Sequence, residues 1–180
     1  MVLSYKECIE KYGNDYQLGK VMECGAVYKI EEGLYSDNRN ESELAVIMKK
    51  YPRGILTGEF AFYIHDLTDV IPDIYTLATG QKDAPIHDTH VQQIYTRSDL
   101  LPLGCVEQEY DGTTIRIYDK ERMLIELLRN KNKMPHDMYK EILYNYRRII
   151  DSLEIWRIQE YAEIFPKSKM IKRAFREEVL

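Results

Sequence analysis

An α+β protein is the fold class this sequence predicts, and three observations predict it. Two short helical patterns and a short hairpin fill the first 36 residues. A second hairpin pattern surrounds Asp111-Gly112, and everything from Asp119 onward has helical periodicity. A small helix-and-hairpin unit, then a mixed segment of strands and helices that ends in a helical one, is an α+β arrangement.

The 180 residues, 44% of them apolar, suffice for one ordinary domain or a small domain joined to a medium one. No apolar run approaches the roughly 20 residues of a membrane span. The start, MVLSYKECIEKYG, lacks the basic-then-apolar layout of a secretory signal, so a cytoplasmic protein without membrane contact is expected. Cys8, Cys24 and Cys105 are odd in number and show no C-x-x-C spacing. They are expected to be buried or half-buried free thiols and not a disulfide framework or a zinc site.

The net charge of -5 is unevenly spread. Residues 1–38 hold 4 Lys/Arg against 7 Asp/Glu, residues 39–119 hold 7 against 13, and residues 120–180 hold 14 against 10. Only the C-terminal third is basic. A nucleic-acid role for the first segment therefore requires its few cations to share one face, because duplex affinity comes largely from neutralised phosphates.

Taken in order, Ser4-x-x-Glu7 is a capping box for a helix carrying Tyr5, Cys8, Ile9 and Tyr12 and ending at Gly13. Asn14 can cap a second helix from Asp15 to about Cys24, with Leu18, Val21 and Met22 inward and Gly25 as its stop. Val27 to Ile30 and Leu34 to Ser36 flank Glu31-Glu32-Gly33 as two short strands. Helix, turn, helix and hairpin form the order of a short winged helix-turn-helix over residues 1–38, without the first helix such units usually have.

The polar stretch from Asp37 to Asn40 marks the expected boundary with a mixed domain over residues 39–180. Within it, residues 39–119 mix sheet and helices and residues 120–180 are helical. Asn40-x-x-Glu43 is expected to cap a helix with Leu44, Ile47 and Met48, and Thr57 to cap the helix of Phe60 to His65. Ile74 to Ala78 and Val91 to Thr96 read as strands. Glu107 to Tyr110 and Thr113 to Tyr118 form a hairpin whose Asp-Gly tolerates the positive φ of a two-residue turn. Asp119 then opens a helix with Met123, Leu124, Leu127 and Leu128 on one face. Pro135 suits the first turn of another with Met138, Ile142, Tyr146, Ile149 and Ile150 inward, and a third covers Ser152 to Phe165 before Pro166.

Two separated segments carry a resemblance. Tyr51 to Leu67 (YPRGILTGEFAFYIHDL) contains Ala61, Phe62, Tyr63, His65, Asp66 and Leu67, and Ile117 to Arg129 (IYDKERMLIELLR) contains Tyr118, Asp119, Glu121, Arg122, Leu127, Leu128 and Arg129. Placed in this order behind a winged-helix pattern, they resemble the AbiEi-type antitoxins of type IV toxin-antitoxin systems. Asp66 stands where that family more often has glycine, and Glu126 where aspartate is common. The resemblance implies a regulator that binds inverted repeats in its own promoter and counteracts a nucleotidyltransferase-like toxin without a stable complex. It also implies a monomer or weak dimer that pairs on DNA, with no catalytic residue, metal or cofactor.

On this reading, Asn14, Tyr16, Gln17 and Lys20 on the second helix, with Lys29 on the wing, are the expected DNA contacts. The expected antitoxin surface comprises Arg122, Arg129, Lys131, Lys133, Arg147, Arg148, Lys172 and Arg173, joined by Lys169 and Arg176. The alternative for each set is an ordinary solvated helix face, and Glu23, Glu31 and Glu32 favour it for the first. Arg122 and Glu126, four residues apart, are expected to pair.

His87-Asp88-Thr89-His90 lacks H-E-x-x-H spacing and reads as a polar loop, while His65 reads as a hydrogen-bonded core histidine. Asp119 and Glu121 suit a cap and the positive end of a helix. The sequence contains no G-x-x-x-x-G-K-[ST], G-x-G-x-x-G or G-x-S-x-G. It also lacks the glycine-serine turn and paired aspartates of the cognate toxin class. Two rivals remain: an orphan regulator or adaptor whose winged unit docks protein, and a metal-dependent nuclease using Asp88, Asp119 or Glu121.

Overall fold

The structure, a computed structural model, describes residues 1–180 and divides into two compact units. The first comprises Met1–Arg53 with Glu109–Ile115, and the second Gly54–Gln108 with Arg116–Leu180. Both contain helices and a sheet, so the protein is mixed α and β as expected. No helix is long and apolar enough to cross a membrane.

In the first unit, strand β1 (Val2–Ser4) precedes α1 (Tyr5–Tyr12), α2 (Asp15–Glu23), β2 (Tyr28–Glu31), β3 (Leu34–Ser36) and α3 (Glu43–Lys50). The capping box expected at Ser4 forms, with the Glu7 amide donating to Ser4 Oγ at 3.3 Å and the Ser4 amide to Glu7 Oε2 at 2.7 Å. Asn14 caps α2 by accepting from the Gln17 amide at 3.0 Å. The sheet order is β1-β3-β2, so β1, too short to announce itself in the sequence, closes the hairpin's sheet by pairing antiparallel with β3.

Where composition places the boundary at residue 38, the structure carries the first unit on to Arg53. The alternation of the strands is the cause. Leu3 and Tyr35 pack on one face with the α1 and α2 residues Cys8, Ile9, Leu18 and Val21. Val2 and Leu34 point the other way, and only Ala45 and Val46 of α3, with Ile30, pack against them. The α3 cap is Ser42, accepting from the Ala45 amide at 3.2 Å, in place of the expected Asn40. Lys49 of α3 lies 2.6 Å from both carboxylate oxygens of Glu7 on α1.

The second unit holds β4 (Ile55–Thr57), α4 (Gly58–Ile64), β5 (Tyr75–Gly80), β6 (Val91–Thr96), β7 (Cys105–Tyr110), β8 (Thr113–Tyr118), α5 (Lys120–Arg129), α6 (His136–Ile149), α7 (Ile155–Ile164) and α8 (Ser168–Ala174). The tip of the β7–β8 hairpin, Glu109–Ile115, groups with the first unit. Its turn has φ of 48° at Asp111 and 72° at Gly112, the doubly positive geometry that Asp-Gly favours.

The strand order is β6-β5-β4-β8-β7, with β4 antiparallel to β5 and parallel to β8, and β5 parallel to β6. After α4 the chain turns at Asp66, whose φ is 59°. The Leu67 amide reaches back to the Phe62 carbonyl at 2.9 Å and the Asp66 amide to Tyr63 at 3.0 Å. This left-handed cap is one that aspartate tolerates in place of glycine.

Helices α5 and α6 bury Met123, Leu124, Leu127 and Leu128, and Tyr139, Ile142, Leu143 and Tyr146. The third C-terminal helix starts at Ile155, three residues later than expected, and the last segment forms α8 followed by a π-helical turn at Phe175–Val179. Trp156 projects outward from α7, 60% exposed, with the Arg157 guanidinium 5.4 Å from its ring centre. Cys8 is buried and Cys105 half-buried as expected, but Cys24, at the exposed end of α2, is solvent-accessible.

The Lys49 ammonium and the Ser4 amide and hydroxyl hold the Glu7 carboxyl down to about 2. A carboxyl that binds protons more weakly when folded stabilises the fold above its ordinary value of 4.5, and that contribution disappears as the pH falls toward 2. Chemical denaturation of the wild type should therefore show an acid-side loss that Glu7→Gln flattens. Ser4→Ala should cost about 1 kcal/mol at neutral pH.

Candidate functional site

Two surfaces qualify, one on each unit. On the first unit, Tyr16, Gln17 and Lys20 lie on the outward side of α2, and Tyr16 is 68% exposed. The Lys20 ammonium rests 4.5 Å from the Tyr16 ring centre and makes no ion pair. Asn14 is exposed, but its side-chain oxygen is occupied by the cap. Lys29 on β2 is bound to Glu32 at 2.7 Å, which neutralises the one cation expected on the wing. Lys6 and Lys49 also face carboxylates of their own unit, Glu10 at 3.8 Å and Glu7 at 2.6 Å.

The second surface is a cleft of about 950 Å³ lying wholly on the second unit. Its floor is one face of three neighbouring strands, where register aligns Thr57 of β4 with Thr76 of β5 and Gln92 of β6, and Ala78 with Ile94. One wall is α5, presenting Arg122, Met123, Glu126 and Arg129. The other is the segment of Val70 to Ile74, whose Val70, Ile71 and Ile74 are exposed. Its volume, one apolar wall and the charged and polar groups facing it are attributes of a ligand or peptide site.

The Arg122 side chain was expected on the surface and is instead 1% exposed. Its guanidinium carbon stands 4.5 Å from the Tyr118 ring centre and 4.0 Å from that of Phe165. Nη1 donates to the Leu100 carbonyl at 3.2 Å, and Nη2 to Glu126 Oε1 at 2.9 Å, the expected pair. Nε has no hydrogen-bond partner. Burial lowers the Arg122 pKa from the ordinary arginine value, and the Glu126 carboxylate opposes that shift. The reason for its inward placement is the stretch Tyr118-Asp119: Asp119 caps α5 at the Arg122 amide, 2.7 Å away, which fixes Arg122 in the first turn, facing Gly104. Gly104 has φ of 73°, and a Cβ there would lie 2.6 Å from Arg122 Cβ.

The other expected cations are not gathered on one surface. Arg129 stacks on Phe165 at 4.6 Å and pairs with Glu126 at 3.4 Å, and Lys133 reaches the cleft without an ion pair. Lys131 holds Glu178 at 2.9 Å, and Arg147 Nε donates to the Glu178 carbonyl at 2.6 Å, fastening the π-helical turn to its neighbours. Lys172 pairs with Glu163, Arg173 with Glu177 at 2.8 Å, and Arg148 lies 6.0 Å from the Tyr144 ring centre. Arg176 Nε donates to the Lys172 carbonyl at 3.4 Å, and Lys169 is exposed. Only Arg122, Arg129 and Lys133 of the set meet at the cleft.

His65 Nε2 donates to the Tyr118 carbonyl at 2.7 Å inside the core, as expected, and burial lowers its pKa. Asp119 Oδ2 accepts from the Tyr161 hydroxyl at 2.9 Å, and Glu121 Oε1 from the Glu154 amide at 2.9 Å, so both carboxylates serve helix ends. No three His, Cys, Asp or Glu side chains converge as metal ligands would. The cleft itself has no signal in the sequence, because the floor residues that strand register aligns are 16 to 35 positions apart. No protein-family model matches the chain, and no curated protein does.

Removing the guanidinium takes one of its partners from Glu126, which keeps Arg129 and Asn130, leaves the Leu100 carbonyl without that donor, and opens a void between two rings. Arg122→Ala should destabilise the protein by about 3 to 5 kcal/mol in urea denaturation. Glu126→Gln, which keeps a hydrogen-bond acceptor, should cost clearly less.

Proposed function

We propose that the chain is an AbiEi-type antitoxin: a DNA-binding regulator that represses its own operon and counteracts a nucleotidyltransferase-like toxin. The observation that carries this reading is the outer side of α2, where Tyr16, Gln17 and Lys20 stand free of side-chain hydrogen bonds and ion pairs beside the β2–β3 hairpin. The order strand, helix, helix and hairpin, with the first strand paired to the last, supports a winged helix-turn-helix without its usual first helix, in which α2 would enter the major groove. The resemblance of Tyr51 to Leu67 and Ile117 to Arg129 supplies the antitoxin half of the reading.

In this mechanism Gln17 and Lys20 contact base edges or phosphate, and Tyr16 lies along the backbone while its ring holds the Lys20 ammonium in place. The wing adds little charge, because Glu32 occupies Lys29. Electrostatic attraction is correspondingly weak, and two copies on an inverted repeat provide the missing affinity. The second unit presents Arg129 and Lys133 at its cleft, a surface suited to an acidic or phosphorylated element of the toxin or its substrate. The second reading is protein docking by the α2 face, favoured by the ion pairs that occupy Lys6, Lys29, Lys49 and Lys50 of the first unit.

Fluorescence anisotropy on the upstream DNA against a scrambled duplex, over a salt series, separates the two. A preference for the upstream DNA with a log K against log salt slope of only about -2 per bound copy is expected. Gln17→Ala and Lys20→Ala should each weaken binding by about 1 to 3 kcal/mol where the contact is to a base, with Lys29→Ala nearly silent. Equal binding to both duplexes would leave protein docking as the role of this face.

A further inference from the structure

Strand β6 ends the five-stranded sheet, and nothing in the chain pairs with its outer side. Apart from its ladder to β5, the only backbone hydrogen bond of a β6 residue runs from the Val91 amide to the Asp88 carbonyl at 3.2 Å. The ladder is unbroken for six residues, from Tyr75 opposite Val91 to Gly80 opposite Thr96, so no bulge interrupts the strand. Open edges are normally blunted by charge, proline, a bulge or a covering element. β6, Val-Gln-Gln-Ile-Tyr-Thr, has none of the first three, and Ile94 and Tyr95 are 44% and 49% exposed. The opposite edge strand, β7, carries Glu107 and Glu109.

We propose that β6 is a homodimerisation edge: two copies of the chain pair their β6 strands antiparallel about a two-fold axis, joining two five-stranded sheets into one of ten. Self-complementarity selects a second copy as the occupant. With Gln93 opposite its symmetry mate, Val91 faces Tyr95, Gln92 faces Ile94, and no charge lies within the paired strands. The same operation on β7 about Gln108 would set Glu107 against Glu109 and repel. An isologous contact of this kind also closes on itself, whereas an open edge that added strands head to tail would grow into a fibre. The Gln93 side chain is tied to its own unit, its amide nitrogen donating to Thr79 Oγ1 at 2.8 Å and to the Ala84 carbonyl at 3.1 Å and its oxygen accepting from the Ile86 amide at 2.8 Å.

Sedimentation velocity over a concentration series, in reducing buffer and without DNA, tests this directly. A reversible dimer of about 1 to 100 µM Kd is expected, the strength of a small interface. Ile94→Lys and, separately, Gln92→Lys, both at exposed positions, should weaken it at least tenfold with unchanged far-ultraviolet circular dichroism, and Glu107→Lys should leave it intact. Amide exchange in β6 should slow as concentration rises. A monomer at every concentration would overturn the proposal, as would a dimer indifferent to both lysine substitutions. Because no DNA is present, either result leaves the regulator reading to its own test.

Discussion

One buried cation organises the second unit. Removing a guanidinium from water costs several kcal/mol, so Arg122 is tolerable in the core only because aromatic faces, a carboxylate and a carbonyl surround it. Each of those partners belongs to a different part of the chain: Tyr118 ends β8, Leu100 precedes β7, Glu126 lies one turn along α5, and Phe165 follows α7. Satisfying one charge therefore fixes where four elements meet. The unpaired Nε shows that the arrangement is not free of cost, and the two ring stacks are the offsetting term. Apolar packing alone would hold these elements together without specifying their mutual register so narrowly.

Much of the fold was legible because local chemistry announced it. The Ser4 box, the Asn14 and Asp119 caps and the Asp111-Gly112 turn act between residues two or three apart, and each is found where the residues place it. What was not legible depends on partners far along the chain. β1 is three residues long and exists because β3 needs a neighbour. α3 belongs with the first unit because the strands of that unit have a second apolar face, which the sequence alone does not connect to Ala45 and Val46. Thr57 precedes α4 but does not cap it through its side chain, since its hydroxyl donates to the Met123 sulfur at 3.6 Å.

The same distinction separates the two candidate surfaces. The outward residues of α2 follow from helical periodicity, and they are exposed as that periodicity requires. The basic C-terminal third suggested a charged surface, but charge counts do not say where charges point. Arg122 is enclosed, and Lys131, Arg147, Lys172 and Arg173 are spent on Glu178, Glu163 and Glu177, so the cations brace helices instead of forming a patch. The cleft arises from strand register, which no short motif encodes.

The aromatic inventory has an optical consequence. The single tryptophan, Trp156, is exposed on α7, outside the core, so its emission is expected to report little on whether that core is closed. The tyrosines carry the information instead. Burial raises the pKa of Tyr118, Tyr139, Tyr146 and Tyr161, which keeps these four phenols un-ionised in alkali that converts freely exposed ones to phenolate. The absorbance of phenolate on the long-wavelength side of the protein's ultraviolet band thus becomes a gauge of whether the core of the second unit is closed.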